Sequence, residues 1–182
     1  KAGSVDEAHM ISTVDLLPTI LDMLSIAQPG GFDGTSFAAA LKGESQPQRT
    51  MVFKEHNENA GGQNTPMRAV QTKDWLYVFN PWSNGTRVMS GATNGTSTSR
   101  QMRLLAKTNE AIAARIDLFD HRLPEEAYEV RYDPDALTNL IDKTEHTTQV
   151  AMLEQAMEAW MVRTGDPLLE VFRHRDDAAF RE

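Results

Sequence analysis

The chain has 182 residues, with 18 Lys and Arg against 26 Asp and Glu, and so carries a formal net charge of −8. A composition of 40% hydrophobic and 24% charged residues is that of an ordinary globular chain and excludes wholesale disorder, collagen and coiled coil. Cysteine is absent, which excludes disulfide scaffolds, Cys-ligated zinc, iron–sulfur clusters and thiol nucleophiles, while the acidic balance argues against a nucleic-acid partner.

The first residue is Lys1, not Met, and the chain is expected to be part of a longer one. No apolar stretch approaches the ~18 residues of a membrane span, so no membrane span is expected. Ser12, with Asp15 three residues on, is close to a capping-box pattern, and Pro18 falls in a first helical turn. Leu17, Ile20, Leu21 and Leu24 then mark one apolar helix face, which Pro29-Gly30-Gly31 ends. Asp33-Gly34-Thr35 reads as a turn. Ser36 caps a short helix through Phe37, Ala40 and Leu41, ending at Gly43.

Beyond residue 50 the period changes. Met51 to Lys54 predicts a short strand, and the Asn- and Gly-rich stretch from His56 to Pro66 a loop. Met67 to Thr72 and Trp75 to Phe79 predict a β-hairpin around Lys73-Asp74. Asn80 to Ser99 reads as a long surface loop, and Gln101 to Arg115 as a helix burying Leu104, Leu105, Ile112 and Ile116. Ala127 to Val130 is one more strand and Asp133-Pro134-Asp135 a turn. Thr147 to Arg163 is the strongest helix, with Val150, Leu153, Met157, Trp160 and Met161 on one face. This order predicts an α+β layout: a small antiparallel sheet packed with helices.

The chemistry is sparse. There is no Gly-x-Ser-x-Gly elbow, no pair of histidines at i, i+4 and no P-loop. Asp133, Asp135 and Asp142 lack the EF-hand spacing and read as a capped turn. Two sequons, at Asn84 and Asn94, acquire meaning only in a eukaryotic secretory pathway. Trp75 and Trp160 fall on core patterns, whereas Trp82 is undecided. Glu55-His56-Asn57-Glu58 is the densest polar cluster. It has two readings, a solvated loop or a binder of an anion or sugar hydroxyl, since imidazole can donate, accept or carry charge near neutral pH.

Several segments resemble, in chain order, the C-terminal region of the sulfatase family. Val14 to Leu21 is similar to its VDLxPTxL helix, Phe32 to Phe37 to its LDGxSL turn, and Leu41-Lys42-Gly43 to its LxG close. Met67 to Lys73 with Trp75 to Asn80 resembles the MRAVRT…YKYIxN hairpin, with Gln71 where Arg is common. Glu125 to Val130, Asp133-Pro134 and Leu137 to Leu140 resemble EELYDL…DPxExxNL, with Ala127 and Glu129 replacing Leu and Asp. Trp160 to Pro167 resembles the WxxxTxDP tail of the heparan N-sulfatase (sulfamidase) branch.

The resemblance implies the C-terminal part of an alkaline-phosphatase-like sulfatase. Residues 1–50 would be the helical tail end of the large α/β domain, and 51–182 a C-terminal subdomain with an antiparallel sheet and terminal helix. It implies that the full-length parent uses calcium and a formylglycine made in a Cys/Ser-x-Pro-x-Arg motif, neither cofactor belonging to this fragment. Ser45-Gln46-Pro47-Gln48-Arg49 fits that motif by letter, but it follows the VDLxPT helix and leads into a strand pattern, so it reads as a chance match. The implied candidate substrate contacts are Glu55, His56 and Asn57, toward sugar or sulfate. Arg68 is either a further anion contact or an ordinary surface cation. The expected partners are the rest of the catalytic domain and a sulfated carbohydrate, with catalytic residues and metal ligands lying elsewhere. The rival reading is a non-catalytic glycan- or protein-interaction module derived from a sulfatase tail. The compartment stays open among periplasmic, secreted and lysosomal.

Overall fold

A computed structural model describes residues 3, 5–44, 49–58 and 64–181. Contacts divide the chain into two units, Lys1–Val52 and Phe53–Glu182. The Ser-x-Pro-x-Arg match lies, except for Arg49, outside the described residues.

The first unit is organised by one carboxylate. A 3-10 turn at Thr13–Asp15 runs into helix α1, Leu16–Met23, and helix α2 follows at Ala38–Lys42. Asp15 is 2% exposed. Its carboxylate accepts the Ser12 N–H at 2.8 Å and, 20 residues away, the Thr35 N–H at 2.8 Å, and it pairs with Arg49. Thr19, also buried, donates its hydroxyl to the Asp15 carbonyl at 2.6 Å and accepts the Phe37 N–H at 3.0 Å. Phe37, not Ser36, holds the N-cap position of α2; Ser36, one residue before it, accepts the Ala38 N–H at 3.1 Å and donates to Asp22 at 2.6 Å. The helix start and the Asp33–Phe37 turn are thus tied through buried side chains, each hydrogen-bonded as burial demands. A Cβ on Gly34 would stand 2.0 Å from the Val14 carbonyl oxygen, so only glycine permits this approach.

Helix α1 forms where the spacing predicts it, and its apolar stripe finds no cover within this chain. Leu17, Ile20 and Leu24 are exposed in this chain, and the buried α1 residues are Pro18 and Thr19. The period identified the helix, but the close turn on its other side seats a hydroxyl.

The second unit holds a four-stranded sheet in the order β1-β2-β3-β4: Val52–Glu58, Asn64–Gln71, Leu76–Phe79 and Glu125–Tyr128. Strands β2, β3 and β4 pair antiparallel, with Val70 opposite Tyr77 and Tyr77 opposite Ala127. Because side chains alternate between faces, these three residues share a face with Phe79, and all four are fully buried. That face meets helix α5, Thr147–Thr164, through Val150, Leu153, Met157 and Met161. Gly165 ends α5 at φ +64, and helix α6, Leu169–Arg173, sets Phe172 edge-on to Tyr77 and Phe79. A short helix α7 follows at Ala178–Arg181. The small antiparallel sheet with helices is the expected α+β class, and the α5 stripe is as read except that Trp160 stacks on Phe53, centroids 5.2 Å apart, nearer the surface.

Several element boundaries differ from expectation: β4 lies at Glu125–Tyr128 where 127–130 was predicted, and β2 starts at Asn64, inside the predicted loop. Strand β1 runs on to Glu58, so Glu55, His56 and Asn57 lie in a strand where a loop was predicted. The single helix predicted at 101–115 is two, α3 at Ser97–Leu105 and α4 at Glu110–Asp120. Asn109 accepts the Ile112 N–H at 3.2 Å and restarts the helix, which leaves Leu104 and Leu105 exposed. The loop before them is not all surface: Trp82 is buried, and the Asn80 N–H donates to the Pro124 carbonyl at 2.7 Å.

Replacing Gly34 with Ala is expected to cost the first unit about 1–3 kcal/mol through forced overlap with backbone. Hydrogen exchange checks this: the Thr35 and Phe37 amides should lose protection while those of β3 keep theirs.

Candidate functional site

The candidate residues of β1 are held by an arginine on β2. Arg68 alternates onto the core face with Val70 and is 2% exposed. Its Nε and Nη2 donate to the two carboxylate oxygens of Asp166, at 2.5 and 3.1 Å, across 98 residues of sequence. Nη1 donates to the Asn57 side-chain oxygen at 2.9 Å, the His56 carbonyl at 3.2 Å and the Met67 carbonyl at 2.9 Å. Asp166 also accepts the Leu168 N–H at 2.9 Å. All three guanidinium nitrogens are therefore engaged with protein acceptors, in the bidentate geometry that suits Arg and carboxylate. In this structure Arg68 is neither a surface cation nor an open anion contact. It positions β1, and Asn57 is one of its acceptors. Glu55 is exposed, and His56 is half-buried with no partner for Nε2 among the described residues.

The other face of the sheet carries a cleft of about 700 Å³. Met67, Ala69 and Val78 form its floor, and Met102, Ile116 and Phe119 of the α3–α4 hairpin its wall. Lys54, Glu55 and His56 line its β1 side. Arg103, also in the lining, is closed by Asp120 through two 2.7 Å bonds, and these hold its own guanidinium above and the Asp120 carboxyl below their ordinary ranges. Of the four candidate residues, Glu55, His56 and Arg68 belong to the lining of this cleft, but Arg68 turns its guanidinium to the opposite, core face, where Asn57 accepts from it.

Beneath one end of the cleft lies a buried acid that sequence reading missed. Glu126 is 1% exposed and pairs with Arg122. It also accepts the Tyr128 hydroxyl at 2.8 Å, the Leu123 N–H at 3.1 Å and the Asn80 amide at 3.2 Å. Burial outweighs these donors and raises the Glu126 carboxyl above its usual range. Burial first, then the neighbouring Glu126 charge, raises the Tyr128 phenol. On the opposite face Tyr77 donates to Glu125 at 2.5 Å, and Arg175 joins Glu125 to Glu154 at 3.1 and 3.0 Å. The only signal for Glu126 was its inward phase with Tyr128 in a strand of four residues. Asp133 caps the following turn by accepting the Leu137 and Thr138 N–H groups at 2.8 Å, as the turn reading had it.

No family model matches the sequence, and no curated protein matches it. Solved structures do. A protein of Bacteroides thetaiotaomicron assigned as a sulfatase superposes with a TM-score of 0.57 at 21% identity, over 92% of this chain and 28% of that one. A 2-O GAG sulfatase gives 0.56 at 21%, over 92% and 28%. A phosphonate monoester hydrolase of Agrobacterium radiobacter gives 0.50 at 16%, over 86% and 25%. These likenesses show the fold: a small antiparallel sheet with helices, that of the C-terminal part of the sulfatase, alkaline-phosphatase-like architecture. The chain spans about a quarter of the length of the structures that it matches.

Two outcomes follow from the buried charges. Asp166→Ala strands a buried guanidinium and should destabilise the second unit by about 3–5 kcal/mol, whereas Arg68→Met with Asp166→Leu should cost far less; urea denaturation compares them. Glu126 binds its proton more tightly folded than unfolded, so its contribution is fully present below the unfolded value and is lost as pH rises through the folded one. The stability of the native chain relative to Glu126→Gln should therefore fall as pH rises from about 4.5, read as a shrinking difference in melting temperature.

Proposed function

We propose that this chain is the C-terminal part of a sulfatase, supplying the small-sheet subdomain and one wall of the substrate pocket, and inactive alone. The observation that carries the reading is the coverage: 92% of this chain lies on 28% of a sulfatase-assigned structure. The motif residues add to it. Asp15, Thr19 and Gly34, which carry the family resemblance, form the hydrogen-bonded knot of the first unit. Leu17, Ile20 and Leu24, exposed beside that knot, fit a surface completed by the rest of the catalytic domain.

In this reading Glu55 and His56 contact the substrate, and Arg68 and Asn57 hold the strand that presents them. The substrate is a sulfate ester or N-sulfate on a sugar, in line with the GAG activity of one structural neighbour. In this reading the calcium and the formylglycine are supplied by the rest of the parent. No catalytic step is assigned to these residues. The likeness to a phosphonate monoester hydrolase favours a second reading, in which the parent cleaves a phosphonate ester on the same fold.

The test is an assay with 4-nitrophenyl sulfate and calcium. The 182-residue chain alone should stay at background, and activity stoichiometric with folded chain would overturn the reading. A longer polypeptide containing this chain should hydrolyse the ester, and His56→Ala in it should raise KM about tenfold, the size of one lost charge-assisted contact. Hydrolysis of a phosphonate monoester in place of the sulfate would select the second reading.

A further inference from the structure

The cleft between the sheet and the α3–α4 hairpin differs in character from a site for a fully polar sugar. Its floor and wall, Ala69 and Val78 against Met102 and Ile116, are apolar. Three arginines belong to the lining, and each is closed by a carboxylate: Arg103 by Asp120, Arg122 by Glu126, and Arg68, whose guanidinium turns to the core face, by Asp166. The interior therefore presents no unneutralised ion. Lining charges without an ion-pair partner among the described residues, Lys54 and Glu55, follow one another on β1 before His56, and Lys54 donates to the Gln71 side chain. The volume, about 700 Å³, is that of small-molecule sites rather than of protein interfaces. Methionine on both sides gives walls that adapt to flat or chain-like bodies.

We infer that this cleft binds the apolar aryl or alkyl part of an amphiphilic small molecule, whose polar head lies at the β1 mouth beside Glu55 and His56. The apolar body follows from the cleft alone. The head group is a sulfated sugar only on the reading given above, and the inference then narrows the parent's substrate: that sugar carries an apolar aglycone, which lies in the cleft.

Methionine-methyl NMR on the 182-residue chain tests this, because Met67, Met89 and Met102 line the cleft while Met23 and Met152 are exposed elsewhere. Titration with 2-naphthyl sulfate should shift the three cleft signals saturably and leave Met23 and Met152 in place. Inorganic sulfate and glucosamine 6-sulfate should move none of the three. Ile116→Lys and Met102→Glu should each weaken binding at least tenfold, with the buried Met157 and Met161 signals reporting an intact core. The inference is overturned if naphthyl sulfate shifts no cleft methionine, if Met23 and Met152 move in parallel, or if the sulfated sugar moves the same three signals as strongly. 2-Naphthol binding as tightly as its sulfate would uphold the apolar site and count against the sulfatase reading. Sulfate-ester hydrolysis by a longer polypeptide, with no binding in the cleft, would sink the inference and leave that reading standing.

Discussion

A charge removed from water must be met by another charge and by donors or acceptors that finish its hydrogen bonding, and Arg68 with Asp166 meets this condition at the centre of the second unit. The pair joins strand β2 to the turn after α5, and the remaining guanidinium nitrogen takes acceptors from β1 and from the neighbouring Met67 carbonyl. One side chain thus fixes three elements that sequence distance separates. The apolar core of Val70, Phe79, Leu153 and Phe172 gives most of the burial but little direction. The ion pair specifies which residue of β1 sits where, and so places Glu55 and His56 at the mouth of the cleft.

The same logic recurs at a smaller scale. Asp15 draws Ser12, Thr35 and Arg49 around itself, and Glu126 draws Asn80, Arg122, Leu123 and Tyr128. Each is a carboxylate whose lone pairs are nearly filled by donors from separate segments. Such centres tolerate substitution poorly, because removing one partner leaves the others buried and unpaired.

Much of this fold was legible where a period ran long enough. The 18-residue α5 declared itself by its stripe, and the hairpin of β2 and β3 by alternation around Lys73-Asp74. β1 was cut short in the reading because its second half, Glu55 to Glu58, is polar. It is an edge strand, formed by pairing with β2 and not by its own composition. The break between α3 and α4 depends on a single Asn109 cap, which the apolar spacing hides. Arg68 carried a readable signal: it shares inward phase with Val70, and a charge in that phase announces a buried partner. What the sequence did not contain was the identity of that partner, since Asp166 lies in a turn with no period. The cleft was equally invisible, because Met102 and Ile116 belong to helices whose facing is set by the hairpin between them.

The buried acids of the described residues, Asp15, Glu126 and Asp166, are each matched by one arginine. These pairs cancel, so among the described residues the excess of negative charge lies on side chains that are at least partly exposed. An anionic ligand approaching from solution meets a repulsive field that fades within about 8 Å at physiological salt. Added salt should then speed the encounter of this chain with any anion, the opposite of the attraction that governs most proteins of polyanions.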